Sequence, residues 1–123
     1  MGVKRAGQIA LTRFPSTDFS EAKLRPVLLL HRASRRFDDW LVCMISSRLG
    51  QAEPELDEWI GEEEADFASS GLKVGSIVRL NRLAVLDGAL LVGALGSIDE
   101  QRLMRIRHRL AEWILCGAVG GRV

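Results

Sequence analysis

Two apolar segments joined by a short polar connection constrain the fold of this chain more than any other feature. They are Val27 to Leu30 and Trp40 to Ile45, and both have the length and composition of strands that are buried on both faces. The connection Ala33 to Asp39 is too short for a crossover helix, which needs about a dozen residues. The pattern therefore disfavours a parallel βαβ architecture and favours a sheet of short strands.

Strand-like segments continue on both sides of this pair. The predicted strands are Gln8 to Phe14, Arg25 to about His31, Trp40 to Ile45, Leu56 to Ile60, Ser76 to Leu86 and Ala89 to Leu95. In the fifth, regular alternation places Arg79 and Asn81 on the same face. The dipeptide Asp87-Gly88 predicts a tight hairpin between the last two strands.

Local signals also predict where elements begin and end. Pro26 has no backbone N–H, so it fits the first residue of a strand and places Arg25 at the mouth of that strand. Leu56 to Ile60 has acidic flanks, which are typical of a short edge strand. Glu62 to Ser70 is predicted to be a short helix or a loop that ends at Gly71.

The hydrophobic period changes to that of a helix after the last strand. Ser97 and Glu100 form a capping box with Ser97 as N-cap, and Gly117 is a plausible stop. An apolar stripe that should dock on the strands comprises Leu103, Ile106, Leu110, Trp113 and Ile114. A basic stripe on the opposite face, predicted to be solvated, comprises Arg102, Arg105 and Arg109. Contact with nucleic acid is the alternative role for that stripe.

The sum of these elements predicts a mainly β fold with α (α+β). The expected architecture is a small SH3-like barrel of five to six strands plus a C-terminal helix. At 123 residues, the chain suits a single domain over 1–123, with a core at about 7–116 and a frayed tail at 117–123.

Charge and cysteine content restrict the classes of function. A net charge of +1 disfavours bulk electrostatic binding, so a polyanion would need a local patch. Basic residues crowd the connection that holds Arg32, Arg35 and Arg36, whereas Glu53 to Asp66 is acidic. No CxxC or Cys/His cluster indicates a metal site or cofactor.

Cys43 and Cys116 are expected to be reduced, buried thiols. No apolar run approaches the roughly 18 residues of a membrane span, so the sequence predicts a cytoplasmic protein without membrane contact. Two further residue types are predicted to be structural. His31 and His108 should be solvated or locally hydrogen-bonded, and Trp40, Trp59 and Trp113 should lie in the core or a dimer interface.

Several motifs together resemble the MazF/PemK family of toxin endoribonucleases. They are Gly7-Gln8, then RFPSTDFSEAKLRP, VCMISS, GSIVRLNRL and VLD, and finally a capped helix. The resemblance runs from about Gly7 to Leu115. It implies a homodimeric, MazF-like small barrel that cuts single-stranded RNA (mRNA) without a metal. It further implies an antitoxin whose acidic segment covers the same groove.

The resemblance also assigns candidate site residues by position. The implied catalytic residues are Glu21, Arg25, Ser46 and Arg79, and the implied RNA-binding residues are Ser20, Lys23, Ser47, Arg48 and Asn81. Glu21 would act as the base, while the arginines and Ser46 would stabilise charge on the phosphate. Base recognition is expected on the loops around Ala33 to Asp39 and Arg48 to Glu55.

Asn81 departs from the family pattern, which has a catalytic Asp there in the PemK branch. An amide cannot act as an acid or a base, and the first loop is also a residue shorter and lacks a His. One alternative is therefore a catalytically weak or inactive binding module that engages an antitoxin-like peptide or RNA. Another is a DNA-binding regulator that uses the Arg102, Arg105 and Arg109 face.

Overall fold

The structure, a computed structural model, describes residues 2–14 and 23–117. It contains one antiparallel sheet, whose strands differ in length, and a long helix. The strands are β1 (Gln8–Phe14), β2 (Lys23–Arg32), β3 (Asp39–Ser46), β4 (Glu58–Ile60), β5 (Ser76–Asp87) and β6 (Leu91–Ser97). The helices are α1 (Phe67–Ser70) and α2 (Glu100–Cys116), and short 3-10 turns occupy Leu49–Gln51 and Gly88–Leu90.

The six strands pair in the order β4-β5-β3-β2-β1-β6. The predicted mainly β fold with a C-terminal helix is therefore confirmed. Between the described residues, the edge strands β4 and β6 do not pair, so the sheet is not closed. The predicted edge strand is also confirmed, in the shortened form β4.

The hairpin predicted at Asp87-Gly88 is wrong. β5 and β6 do not pair, because β6 crosses the molecule and adds to the free edge of β1. The turn itself forms, as a 3-10 turn in which Asp87 Oδ1 accepts from Ala89 N at 2.9 Å. Buried Thr12 on β1 then donates from Oγ1 to the Leu90 carbonyl at 2.9 Å, which anchors the start of β6.

The predicted borders of β2 and α2 also change. β2 begins at Lys23, so Pro26 and Arg25 lie inside the strand. Pro26 is tolerated because the β2–β3 ladder starts only at Val27, which leaves one side of β2 unpaired there. The N-cap of α2 is Asp99, whose side chain accepts from Arg102 N, while Ser97 remains in β6.

Two apolar clusters cover the two faces of the sheet. The first, beneath α2, includes Ile9, Leu28, Leu30, Cys43, Ile45, Val78, Leu80, Leu103, Ile106 and Leu110. The second comprises Ala10, Val27, Leu29, Trp40, Val42 and Leu91. Residues 27–30 are fully buried, which confirms a strand covered on both faces.

The cysteines and tryptophans meet the expectations only in part. Both cysteines are free; Cys43 is buried, and burial raises the pKa of its thiol to about 12, whereas Cys116 is exposed. Trp40 is buried and Trp113 packs against the first cluster, but Trp59 is 42% exposed. Within the described residues, no helix is long and apolar enough to cross a membrane.

A buried arginine on α2 is bound by three carboxylates from distant parts of the chain. Arg102 donates to Asp66 from Nε and Nη2, at 2.8 Å each. It also donates to Glu58 at 3.0 Å and to Glu64 at 2.7 Å. Arg102 is only 5% exposed, and Glu58 and Asp66 are also buried. This Arg102 network joins α2 to β4 and to the segment before α1.

The prediction of a solvated basic stripe on α2 is therefore wrong for Arg102, which is buried, whereas Arg105 is half exposed. Arg105 and Arg109 also bind Glu58, at 2.6 and 3.2 Å, and Arg109 donates to the carbonyls of Leu56 and Asp57. The acidic segment supplies the counter-charges for this face. Its positive charge is compensated, which removes the basis of the DNA-binding alternative.

Replacing Arg102 by Met should destabilise the fold by about 3–5 kcal/mol, because the buried carboxylate of Asp66 then lacks its ion-pair partner, and Glu58 keeps only Arg105 and Arg109. Urea unfolding at neutral pH, followed by circular dichroism, measures the free energy. Gln101→Ala, at an exposed neighbour on the same helix, serves as the control and should change stability by less than about 0.5 kcal/mol. A loss under about 1 kcal/mol for Arg102→Met, the size of a surface ion pair, would contradict this account.

Acid should weaken the same network. Hydrogen bonds from Arg102 hold the pKa of Asp66 below its usual value. Burial alone would raise the pKa of Glu64, but hydrogen bonds from the Gly61 amide and Arg102 leave it lowered. Because both pKa values are lower in the folded state, unfolding takes up protons. The stabilisation present at neutral pH should therefore be lost as the pH falls below about 4.

Urea unfolding at a series of pH values measures this effect. The free energy of unfolding should decline in acid, and Arg102→Met should show a shallower decline than the wild-type chain. Equally steep declines in both proteins would assign the acid sensitivity to other groups.

Candidate active site

Ser46 is the last residue of β3, and its hydroxyl makes two hydrogen bonds. Ser46 Oγ accepts from the backbone N–H of Arg48 at 3.0 Å and donates to Gln51 Oε1 at 3.4 Å. Gln51 lies in the 3-10 turn that follows the strand. This turn therefore holds a side-chain amide next to the strand end.

Arg79 reaches the same amide oxygen from the neighbouring strand. β5 pairs Arg79 with Met44 of β3, and Arg79 Nη1 donates to Gln51 Oε1 at 3.5 Å. Ser46 and Arg79 thus converge on one atom. Sequence analysis misses Gln51, because a single glutamine in a polar loop gives no signal of its contacts.

Arg25 lies at the same end of the sheet, on β2. The β2–β3 ladder pairs Val27 with Met44, and continuing its register by two residues places Arg25 opposite Ser46. Strand alternation puts both on the face of the second apolar cluster, away from α2. Arg25, Ser46 and Arg79 therefore occupy three adjacent strands, and we call this group the Ser46–Arg79 site.

A bulge in β5 separates Arg79 from Asn81. Met44 of β3 pairs with Arg79, and the residue before Met44 pairs with Leu83. Asn81, which lies between Arg79 and Leu83, therefore has no partner on β3. Beyond the bulge the predicted alternation is wrong, because Leu83, and not Arg82, packs against the first cluster. The extra residues let the strand bend at the site.

Two polar atoms beside this bulge are buried and, within residues 2–14 and 23–117, have no hydrogen-bond partner. They are Arg79 Nε and Asn81 Oδ1. An unsatisfied buried polar group typically costs about 1–3 kcal/mol. Such groups are rare in native proteins, and a catalytic role or a bound water or ion is among the reasons for them, so the two atoms mark this surface as a candidate for function.

The β3–β4 connection is fixed against the site by one carboxylate. Asp57 Oδ1 accepts from Leu80 N at 3.0 Å, and Asp57 Oδ2 accepts from Glu53 N at 2.8 Å. These bonds tie the connection to β5 next to Arg79. The position of Gln51 therefore depends on contacts on both sides of its turn.

An open cleft of about 420 Å³ lies next to the site. It is lined by Ser47, Leu49, Trp59, Glu62, Glu63, Val74 and Gly75. The indole of Trp59 rests on Gly75, where a Cβ would lie 2.5 Å from the ring. Trp59 thus lies on the surface of the chain and not in its core, while its place in a dimer interface stays a prediction. Glu62 and Glu63 give this cleft an acidic rim.

Other predicted site residues divide into three groups. Lys23, Ser47 and Arg48 are exposed at the same end of the sheet as Ser46. Ser20 and Glu21 lie outside the described residues. The loop Ala33 to Asp39 is at the opposite end of β3 from Ser46, and the expectation that this loop and Arg48 to Glu55 recognise bases stays a prediction. His31 and His108 are exposed, and His31 Nδ1 lies 2.8 Å from the Arg32 carbonyl, as predicted.

The described residues offer no cluster of side chains that would form a metal site. No group of three or more His, Cys, Asp or Glu side chains there is arranged to hold a metal ion. The polar groups that do converge are a hydroxyl, an amide and guanidinium groups. This arrangement can donate hydrogen bonds and offer positive charge to a phosphate.

Solved structures of MazF proteins and of an endoribonuclease have the same fold. MazF from Deinococcus radiodurans has a TM-score of 0.68 at 19% identity, covering 93% of this chain and 98% of that one. The Mycobacterium tuberculosis toxin MazF-mt6 has a TM-score of 0.65 at 17% identity, covering 87% and 95%. An endoribonuclease in complex with its cognate antitoxin, from a mycobacterial species, has a TM-score of 0.64 at 14% identity, covering 94% and 99%. No curated protein matches the chain.

The fold and site define a small β protein with a cationic, polar strand-end surface. The family described as PemK-like, MazF-like toxin of type II toxin-antitoxin system matches residues 5–114. Because this match spans nearly the whole chain, the protein belongs to that family. The resemblance inferred from sequence is confirmed.

Arg79→Met should leave the free energy of unfolding unchanged or raise it by up to about 1 kcal/mol, because it removes a buried donor that lacks a partner. Urea unfolding measures the change. Val78→Ala, at the fully buried neighbour, is the contrast and should cost about 1–3 kcal/mol. A loss above about 2 kcal/mol for Arg79→Met would show that Arg79 is mainly structural.

Proposed function

We propose that this chain is a sequence-selective endoribonuclease toxin that cuts single-stranded RNA without a metal. The observation that carries the proposal is the convergence of Ser46 and Arg79 on Gln51, with Arg25 at the same strand end. Membership of the PemK-like, MazF-like toxin family supports it. The groups match what a phosphodiester in the transition state needs.

The proposed reaction is an internal transfer. The 2′-oxygen of the substrate attacks the adjacent phosphorus, the bond to the 5′-oxygen breaks, and a 2′,3′-cyclic phosphate and a 5′-hydroxyl result. A base must accept the 2′ proton, and an acid must protonate the leaving oxygen. Donors must also stabilise the negative charge that develops on the phosphoryl oxygens.

Each candidate residue has a role that its chemistry permits. Glu21 would be the base, as the family resemblance implies. Arg25 would bind the phosphoryl oxygens through its planar fork, and Arg79 would add a second cation. Ser46 would donate a hydrogen bond to the same phosphate after exchanging its bond to Gln51. Ser20, Lys23, Ser47, Arg48 and Asn81 would bind the flanking RNA.

The proposal includes two protein partners. A cognate antitoxin would neutralise the toxin by covering the RNA groove, and a second copy of the chain would complete a homodimer. The first partner is supported by two solved structures with this fold: the mycobacterial endoribonuclease in complex with its cognate antitoxin, and MazE-MazF from Deinococcus radiodurans. The latter has a TM-score of 0.66 at 20% identity, covering 93% of this chain and 97% of that one.

A second candidate function is a binding module with little or no catalytic activity. The observation that favours it is Asn81, whose buried oxygen lacks a partner in the described chain and whose amide cannot transfer a proton. The module would hold RNA or an antitoxin-like peptide on the same surface. Loss of a proton-transfer group typically slows a reaction by 10²- to 10⁴-fold.

The direct test incubates the purified protein with a long single-stranded RNA in EDTA and maps the cut ends. We expect discrete cuts with 2′,3′-cyclic phosphate. Arg25→Ala should slow cleavage by about 10²- to 10³-fold, because a charge-stabilising donor is lost, and Glu21→Gln should slow it by about 10²- to 10⁴-fold. Arg5→Ala, at an exposed arginine before β1, is the control and should cut normally.

The outcomes separate the two candidates. Undiminished cleavage by folded Arg25→Ala would remove Arg25 from the mechanism. RNA binding without cleavage by the folded wild-type protein would favour the binding module. In that case, restored cleavage by Asn81→Asp would identify the missing proton-transfer group.

A further inference from the structure

Two clusters of arginines in this protein differ in how their charge is compensated. On α2, Arg102, Arg105 and Arg109 all bind Glu58. At the β2–β3 connection, Arg32, Arg35 and Arg36 form no ion pair with any carboxylate in the described part of the chain. We call residues 32–38 the arginine loop. Its positive charge remains available to a ligand.

The arginine loop has a defined conformation. Ser34 Oγ accepts from the backbone N–H groups of Arg36 and Phe37, at 3.1 and 3.0 Å. Ala33 N donates to the Asp39 carbonyl at 2.7 Å, which closes the base of the loop. The guanidinium of Arg32 donates from Nη2 to the Phe37 carbonyl at 3.4 Å. The arginines are therefore presented by an ordered turn.

The acidic residue within this loop is occupied by other groups. Asp38 Oδ1 accepts from Trp40 Nε1 at 2.7 Å, and Asp38 Oδ2 binds Lys4 Nζ at 3.0 Å. The hydrogen bond from Trp40, followed by that from Lys4, holds the pKa of Asp38 below its usual value. Gly88 packs against this carboxylate and has no room for a side chain. Asp38 is thus bound by Trp40 and Lys4 and forms no ion pair with the three arginines.

An exposed aromatic ring lies among these charges. Phe37 is 55% exposed, and the guanidinium carbon of Arg36 lies 5.0 Å from its ring centroid. An open cleft of about 370 Å³ is lined by Arg32, Ala33, Ser34 and Arg35. Guanidinium forks bind phosphates, and an exposed ring can stack on an unpaired base. This combination suits a single-stranded nucleic acid better than a protein surface with mixed charge.

The arginine loop cannot contact the same phosphate as the Ser46–Arg79 site. β3 runs from Asp39, beside the loop, to Ser46, and its 8 residues separate the two places. At about 3.3 Å per residue, the separation is roughly 25 Å. Any RNA held at both places must extend along the sheet beyond the nucleotides that are cut.

We propose that the arginine loop is a second RNA-binding site, which holds the phosphates and a base of a distal part of the same strand. The inference rests on the proposed function for the identity of the ligand as single-stranded RNA. Arg35 and Arg36 contact phosphates, and Phe37 stacks on a base. The loop adds affinity for long RNA and does not take part in the cleavage step.

Fluorescence anisotropy with a long, labelled single-stranded RNA, over a series of salt concentrations, tests this site; the 2′-hydroxyls of the RNA are methylated so that the protein cannot cut it. Each lost phosphate contact should lower the slope of log affinity against log salt by about 0.7. Over the tenfold range from 1 M to roughly 0.1 M salt, a change of about 0.7 in the slope corresponds to an affinity that is about fivefold lower for each lost contact. Arg35→Gln/Arg36→Gln should therefore bind about 25-fold more weakly, by two such contacts.

Matched variants at the same positions distinguish charge from structure. Arg35→Lys/Arg36→Lys retains the charge and should keep most of the salt dependence, while Phe37→Ala should weaken binding without changing the slope. A short RNA that covers only the cleavage site should bind the Gln variant and the wild-type protein equally. Unchanged affinity of the Gln variant for long RNA would overturn the inference, as would an equal loss on short RNA.

These outcomes are independent of the proposed cleavage. If the wild-type protein cuts RNA and the Gln variant binds long RNA normally, the second site is wrong and the proposed function stands. If the wild-type protein does not cut but the Gln variant loses affinity for long RNA, the second site stands and the cleavage activity is wrong.

Discussion

The position of the candidate site depends on one buried interaction, the binding of Arg102 by Glu58, Glu64 and Asp66. β4 has only 3 residues and one strand neighbour, so its pairing with β5 alone is weak support. The Arg102 network fixes β4 and the following segment to α2. The preceding connection, with Asp57 and Gln51, leads into that anchored strand and is also hydrogen-bonded to β5.

Basic and acidic residues are nearly equal in number but are distributed unequally over the structure. The chain has 17 basic and 16 acidic residues. Glu58, Glu64 and Asp66 bind the arginines of α2, where they stabilise the fold. Arginines at the two ends of the sheet are left with fewer partners. A protein with almost no net charge can thereby present local positive surfaces to a polyanion.

Local sequence patterns predicted most of the elements but few of their partners. The buried runs at β2 and β3 and the helical period of α2 are local signals, and all three were correct. The partner of β6 was not, because a turn at Asp87-Gly88 says nothing about the free edge of β1. Asp99 and Ser97 are both suitable caps, and only the pairing of Ser97 with Gln8 keeps Ser97 in the strand.

The candidate site shows the same limit. Arg25, Ser46 and Arg79 were predicted by resemblance to a family, and the register brings them to one end of the sheet. Gln51 and the bulge at Asn81 could not be predicted, because both depend on contacts between strands. The burial of Arg102 was missed since its carboxylates lie on elements remote in sequence.

The remoteness of those carboxylates determines when the fold can be completed during synthesis. Arg102 follows Asp66 by 36 residues and Glu58 by 44, so both acids leave the ribosome well before their partner. Burying them alone would cost several kcal/mol per charge. The β4 edge and the Gln51 turn beside it therefore settle only after α2 has been translated and has docked. The nascent chain carries no finished polar surface until then.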